Sequence, residues 1–143
     1  MQQVLAGLRI PRPQYETLLS HLQSCYPQEG CGFLAGHFGA NRIGQITQVY
    51  PIPNTLARTD AFFMSPPAMI KALLSLEAQG LSLLAIYHSH PQTAAAPSST
   101  DIALAYYPEA AQVIVSLQEW SRPQSNAYII VQGLVQKIAY QIL

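Results

Sequence analysis

At 143 residues, half of them hydrophobic and 10% charged, the chain has the length of one domain that buries roughly two thirds of its unfolded surface, and not of two. Seven Lys/Arg balance seven Asp/Glu, so no net field draws in nucleic acid or an anionic membrane surface. The apolar run Leu81 to Tyr87 falls far short of the roughly 20 residues of a membrane span, and Met1-Gln2-Gln3 opens no charged n-region, so the reading is a soluble, unexported protein. Cys25 and Cys31 are too few for a disulfide framework and form no Cys-x-x-Cys pair; a reduced, cytoplasmic setting fits best, with a Cys25–Cys31 bridge as the alternative.

Taken in chain order, Pro13 suits a first helical turn, and Tyr15, Leu18, Leu19 and Leu22 recur at helical spacing until Tyr26-Pro27 ends the pattern. After the turn Pro27-Gln28-Glu29-Gly30, Cys31 to His37 reads as a glycine-rich strand. Phe38-Gly39-Ala40-Asn41 then turns into a second strand around Ile43 to Tyr50. Pro51 to Asp60 is a polar loop and Ala61 to Met64 a short edge strand. Ser65-Pro66-Pro67 offers an N-cap and first-turn prolines for a helix that carries Met69, Ile70, Leu73, Leu74 and Leu76 and ends near Gly80.

Leu81 to His88 is apolar at both parities, as a central strand buried on both faces requires. Val113 to Leu117 and Ala127 to Val131 are further strands. Gly133 turns into a last one, in which Ile138, Tyr140 and Ile142 alternate with Lys137 and Gln141. Glu119 to Asn126 reads as a surface loop. Strands thus outnumber helices about two to one, without internal repeats or an interdomain linker, and residues 1–143 read as one domain.

The chemistry-bearing stretch begins at the end of the central strand, with His88-Ser89-His90-Pro91. Residues i and i+2 of a strand share a face, and Pro91 biases His90 to an extended backbone, so both imidazoles point one way and Ser89 points the other. Asp101 follows within a probable helix start at Ser98-Ser99-Thr100. Catalytic zinc takes three N or O ligands and leaves a position open, a count that His88, His90 and Asp101 supply. Simpler readings stand beside this one: histidines at strand ends are often only hydrogen-bonded, and Ser98-x-x-Asp101 has the form of a capping box. Economy favours the metal, because three of the chain's two aspartates and four histidines fall within fourteen residues; Ser98 can cap while Asp101 ligates.

A zinc-activated water needs a carboxylate that accepts its proton without ligating the metal. Of five glutamates, Glu16, Glu77, Glu109 and Glu119 lie among polar neighbours on predicted helices or flanking loops. Glu29 stands instead between Pro27 and Gly30-Cys31-Gly32, where backbone can approach a site closely; the alternative is a solvated turn residue.

These residues carry a resemblance. His88-Ser89-His90-Pro91, seven residues between His90 and Ser98, two more before Asp101, and Glu29 upstream in Glu-Gly-Cys-Gly-Phe-Leu-Ala-Gly resemble the JAMM motif of the MPN+ metallopeptidases. The resemblance implies an α/β fold, a mixed and mostly antiparallel sheet flanked by helices, with zinc held by His88, His90 and Asp101. It implies Glu29 as general base and Ser98 as donor to the oxyanion. It also implies hydrolysis after the C-terminal glycine of a ubiquitin-like or sulfur-carrier protein with a Gly-Gly tail, and pairing into homodimers, as MPN domains often do. At this length the chain resembles the small prokaryotic members; Phe62, Phe63 and Met64 are candidates either for a sheet edge that takes the tail or for core aromatics. The runner-up is a non-catalytic protein-binding MPN module with a structural metal. A third reading, kinship with RadC proteins, lacks their helical DNA-binding domain and any basic surface, and a nucleobase deaminase lacks its Pro-Cys-x-x-Cys.

Overall fold

The computed structural model describes residues 4–56 and 58–143; the start Met1-Gln2-Gln3 lies outside the described residues. The elements follow in the order β1 (Gly7–Ile10), α1 (Arg12–Cys25), β2 (Cys31–Phe38), β3 (Ile43–Ile52), α2 (Pro66–Ala78), β4 (Ser82–His90), α3 (Ser99–Ala103), β5 (Ala111–Ser116), β6 (Gln124–Val131) and β7 (Leu134–Ile142). The α/β class and the mixed sheet with flanking helices are as expected. Four strand pairings are antiparallel and three, β1 with β3, β1 with β7 and β4 with β5, are parallel. Beyond expectation, the sheet closes: in the order β1-β3-β2-β4-β5-β6-β7 its last strand pairs back onto β1, making a barrel.

The main core is the inner face of this barrel. Leu8, Leu34, Ile46, Leu84, Val113, Ile129 and Ile138 meet there, joined by Tyr15, Leu18 and Leu22 of α1. Helix α1 ends at Cys25 because Tyr26 precedes Pro27 and takes an extended backbone, with φ −52° and ψ 136°. On the outer face α2 covers Cys31, Phe33, Ile52 and Ile86 through Ala72, Met69 and Leu73. A third apolar cluster, Ala95, Ile114, Tyr128 and Ile130, packs Ile102 and Ala105 of the α3 region on that same face. Strand β4 runs between β2 and β5, as a strand buried on both faces must, and its outward residues Ile86, His88 and His90 lie at the seam between the second and third clusters.

Four local expectations change. Strand β1 was not anticipated: its four residues carry too little periodicity, and its partners lie 36 and 132 positions downstream, in β3 and β7. The edge strand over Ala61 to Met64 reduces to one bridge between Met64 and Asn54, because the Phe63 N–H is taken by the Asn54 side chain at 3.0 Å and not by a backbone ladder. Strand β6 begins at Gln124, inside the expected surface loop, drawn out by pairing with Ser116. Ser65 stands at the N-cap of α2 but makes no side-chain cap bond; Pro66 and Pro67 carry no N–H, which leaves Ala68 at the third position as the one cap donor within its reach. Gly80, with φ +70°, ends that helix as expected. Both thiols are free, which answers the Cys25–Cys31 alternative. Among the described residues no helix is long and apolar enough to cross a membrane.

Candidate active site

The strand end, the helix start and the turn before β2 converge on one spot. His88 and His90 project from the last residues of β4, 1% and 4% exposed. Asp101 sits in the first turn of α3, where Ser98 is the N-cap. The Asp101 N–H donates to Ser98 Oγ at 3.1 Å, and the Ser98 N–H donates to Asp101 Oδ2 at 2.9 Å. This is the capping box expected from sequence, and it leaves the carboxylate free to reach further: Asp101 Oδ1 lies 3.2 Å from His88 Nε2, and Oδ2 lies 3.0 Å from His90 Nε2. Capping and convergence therefore hold together. The potential ligand atoms of His88, His90 and Asp101 all lie within 4.8 Å of one another.

The donor chemistry of this cluster fits a metal cation. His90 Nδ1 lies 2.8 Å from the Ala94 carbonyl oxygen, which can only accept, so Nδ1 carries a proton and a neutral ring presents the bare lone pair of Nε2. That lone pair faces His88 Nε2 at 3.1 Å as well as the Asp101 carboxylate. With both rings neutral, at most one ring proton lies among these atoms, and a bound cation would satisfy His88 Nε2, His90 Nε2 and the carboxylate together. Two ligands bound at about 2.05 Å on a tetrahedral ion stand about 3.3 Å apart, close to the spacing seen. Burial pulls the His88 imidazole below its ordinary pKa and so favours the neutral, ligating form. At His90 burial pulls the same way, but the Asp101 carboxylate and the Ala94 carbonyl outweigh it and the pKa rises. Burial likewise opposes ionisation of Asp101, yet the adjoining His88 and His90 rings and the hydrogen bond from the Ser98 amide hold its carboxyl well below the usual carboxylate range.

Glu29 is 4% exposed, which removes the reading of a solvated turn residue. Its turn is joined to the histidine strand directly. Cys31 pairs with His88 across β2 and β4, the Ser89 N–H donates to the Gly30 carbonyl at 3.0 Å, and the Gly30 N–H donates to Ser89 Oγ at 2.9 Å. Ser89 thus points away from the cluster, as expected, and ties the turn to it. Burial pushes the Glu29 carboxyl up to about 7; the neighbouring His90 draws it down, while the charges of Asp101 and Asp60 raise it. A carboxyl poised near neutrality beside a cluster that could hold a metal can exchange protons at physiological pH.

Two further features escape sequence reasoning. Phe62 packs against the His88 ring with centroids 4.7 Å apart and planes at 31°. A cavity of about 350 Å³ meets the cluster at His88 and Asp101, walled by Phe62, Phe63, Met64, Met69, Leu104 and Tyr106. Phe62 and Met64 are packed into the α2 cluster while Phe63 is 56% exposed, so the aromatics divide between core and groove. The Pro51 to Asp60 loop, polar and aperiodic, gave no sign that it would lead into this wall.

Residues 11–130 match the family described as prokaryotic homologs of the JAB domain. The chain belongs to that family. Among its relatives in the JAB family, a probable TtuB-protein conjugate cleaving protease of Thermus thermophilus is 44% identical over 95 residues, 66% of this chain and 61% of that protein. The match thus spans less than two thirds of that relative. The CysO-cysteine peptidase of Mycobacterium tuberculosis is 35% identical over 120 residues, 82% of this chain and 79% of the relative. A desampylase of Haloferax volcanii is 31% identical over 106 residues, 71% of this chain and 74% of its own. Among solved structures, one from Desulfitobacterium hafniense superposes with a TM-score of 0.87 at 29% identity, covering 95% of this chain and 92% of the other. A JAB1/MPN domain protein from Archaeoglobus fulgidus shares the fold, with a TM-score of 0.59 at 17% identity over 96% of this chain and 99% of its own.

Proposed function

We propose that this JAB-domain chain, acting as one domain, is a zinc-dependent peptidase or isopeptidase that hydrolyses the bond after the C-terminal glycine of a ubiquitin-like or sulfur-carrier protein. The observation that carries this reading is the convergence of His88, His90 and Asp101, with ligand atoms within 4.8 Å, beside a buried carboxyl raised to about 7. The relatives' names, which speak of conjugate cleavage, of a CysO-cysteine peptidase and of desampylation, support the substrate class.

Zinc held by the triad supplies Lewis acidity, lowering the pKa of a water to about 7 and polarising a carbonyl. The chain's own groups supply the rest. Glu29 accepts the proton of the attacking water, whose oxygen bonds to the glycine carbonyl carbon. As the C–N bond breaks, Glu29 returns that proton to the departing amine, so the products are a C-terminal glycine carboxylate and a free amine. Ser98 Oγ accepts the Asp101 N–H, and its own O–H remains free to donate to the oxyanion. The Ala94 carbonyl holds His90 in the ligating tautomer.

The test is mass spectrometry of Gly-Gly-tailed carrier proteins, each with a C-terminal extension or adduct, incubated with zinc-loaded protein and with Glu29→Gln. The expected result is loss of the mass beyond the glycine, slowed about 10²- to 10⁴-fold by Glu29→Gln. Equal cleavage by both forms sinks the base assignment. Absence of cleavage in both, with zinc bound, favours the non-catalytic module instead.

A further inference from the structure

Asn54, two residues past the end of β3, makes three hydrogen bonds to three separate places. Its Nδ2 donates to the carbonyl of Glu29 at 2.9 Å. Its Oδ1 accepts the Leu56 N–H at 2.9 Å and the Phe63 N–H at 3.0 Å. The carboxamide thereby joins the turn that carries Glu29 to both legs of a strap formed by residues 54–56 and 58–64. That strap brings Phe62 onto the His88 ring and lends Phe62, Phe63 and Met64 to the cavity wall.

The polar backbone atoms of Glu29 and Gly30 are held from two sides. Ser89, between the two histidines, holds the Gly30 N–H and carbonyl at 2.9 and 3.0 Å. On the far side the Glu29 N–H donates to the Arg58 carbonyl at 3.4 Å, and the Glu29 carbonyl rests on Asn54. The Glu29 carbonyl and the Gly30 N–H belong to one planar peptide unit, so Ser89 grips that plane at its N–H edge and Asn54 grips it at its carbonyl edge, on the side from which the Glu29 side chain departs. The geometry points to Asn54 as the positioning residue of Glu29, setting its carboxyl against the His88, His90 and Asp101 cluster and in register with the Phe62 to Met64 wall. This rests on the reading of Glu29 as base. Asn suits the place because one short side chain must donate at one end and accept twice at the other; Asp keeps the acceptor and loses the donor, and Ala loses both.

These differences give the test, made on the full chain loaded with zinc and a Gly-Gly-tailed carrier that bears a C-terminal extension. Asn54→Asp keeps the strap bonds and breaks the one to Glu29. It is expected to bind zinc with unaltered stoichiometry and to keep KM within about twofold, while kcat falls about 10- to 100-fold, the cost of a base misplaced by about 1 Å. Asn54→Ala also releases the strap and is expected to raise KM in addition. Added to Glu29→Gln, Asn54→Asp should cost nothing more, since the group it positions is already gone. The proposal is overturned if Asn54→Asp leaves kcat within twofold, loses zinc, lowers only the melting temperature, or reduces the residual rate of Glu29→Gln as much as it reduces that of the unaltered protein. Glu29→Gln by itself, cleaving as fast as the unaltered chain, would refute the base assignment first and so separates the two failures.

Discussion

Glu29 shows how far one residue's chemistry depends on what surrounds it. In the turn Pro27-Gln28-Glu29-Gly30 it reads as polar, yet it is buried, and the loss of water lifts its pKa from 4.5 to about 7. Folding therefore favours the protonated form. In metal-free protein the resulting contribution to stability is full below pH 4.5 and is lost as the pH rises through 7, amounting to about 1–2 kcal/mol once solvent screening is allowed for. Urea unfolding of metal-free protein at pH 5 and pH 8 should show this fall, and Glu29→Gln should flatten it. An unchanged pH dependence in Glu29→Gln would mean that another group carries the effect.

At the scale of an element, α3 is five residues long and too short to hold together by helix propagation. Its start is secured by the reciprocal bonds between Ser98 and Asp101, and Asp101 is in turn held by the two histidines. Cap and cluster reinforce one another. Ser98→Ala should then have two separable effects: a loss of about 1 kcal/mol of stability from the missing cap, and a fall in kcat of about 10²- to 10³-fold from the missing oxyanion donor. Thermal unfolding and steady-state kinetics measure the two independently. A kcat unchanged despite the lost cap would leave Ser98 a structural residue only.

For the whole molecule, the triad depends on a closed sheet. Strand β4 is held between β2 and β5 and cannot slip by one residue without turning His88 and His90 into the core and Tyr87 out of it. Gly32 guards that register from β2, where an added Cβ would meet the Tyr87 ring and the Tyr50 carbonyl, both at 2.4 Å. A metal that binds only the folded form adds to this stability by mass action, about 2.7 kcal/mol at a hundredfold excess over Kd. For a chain of this size that corresponds to a rise in melting temperature of roughly 10 °C. Differential scanning calorimetry with and without zinc should show such a rise, reversed by a chelator and absent in His88→Ala. A zinc response that survives His88→Ala would place the metal elsewhere.

The sequence by itself determined the class, most of the elements and the identity of the cluster, because these depend on local signals: helical spacing in α1 and α2, apolar residues at both parities in β4, two histidines on one strand face, and a capping box eleven residues on. Only the tertiary structure decided what those residues do to each other. Closure of the barrel through β1 rests on pairing between the two ends of the chain, which carries no local periodicity. The raised pKa of Glu29, the packing of Phe62 against His88 and the reach of Asn54 to Glu29 arise from burial and contact among segments far apart in sequence. Desolvation and hydrogen-bond geometry are properties of the packed state, so spacing along a chain can nominate such residues but cannot set their protonation or their aim.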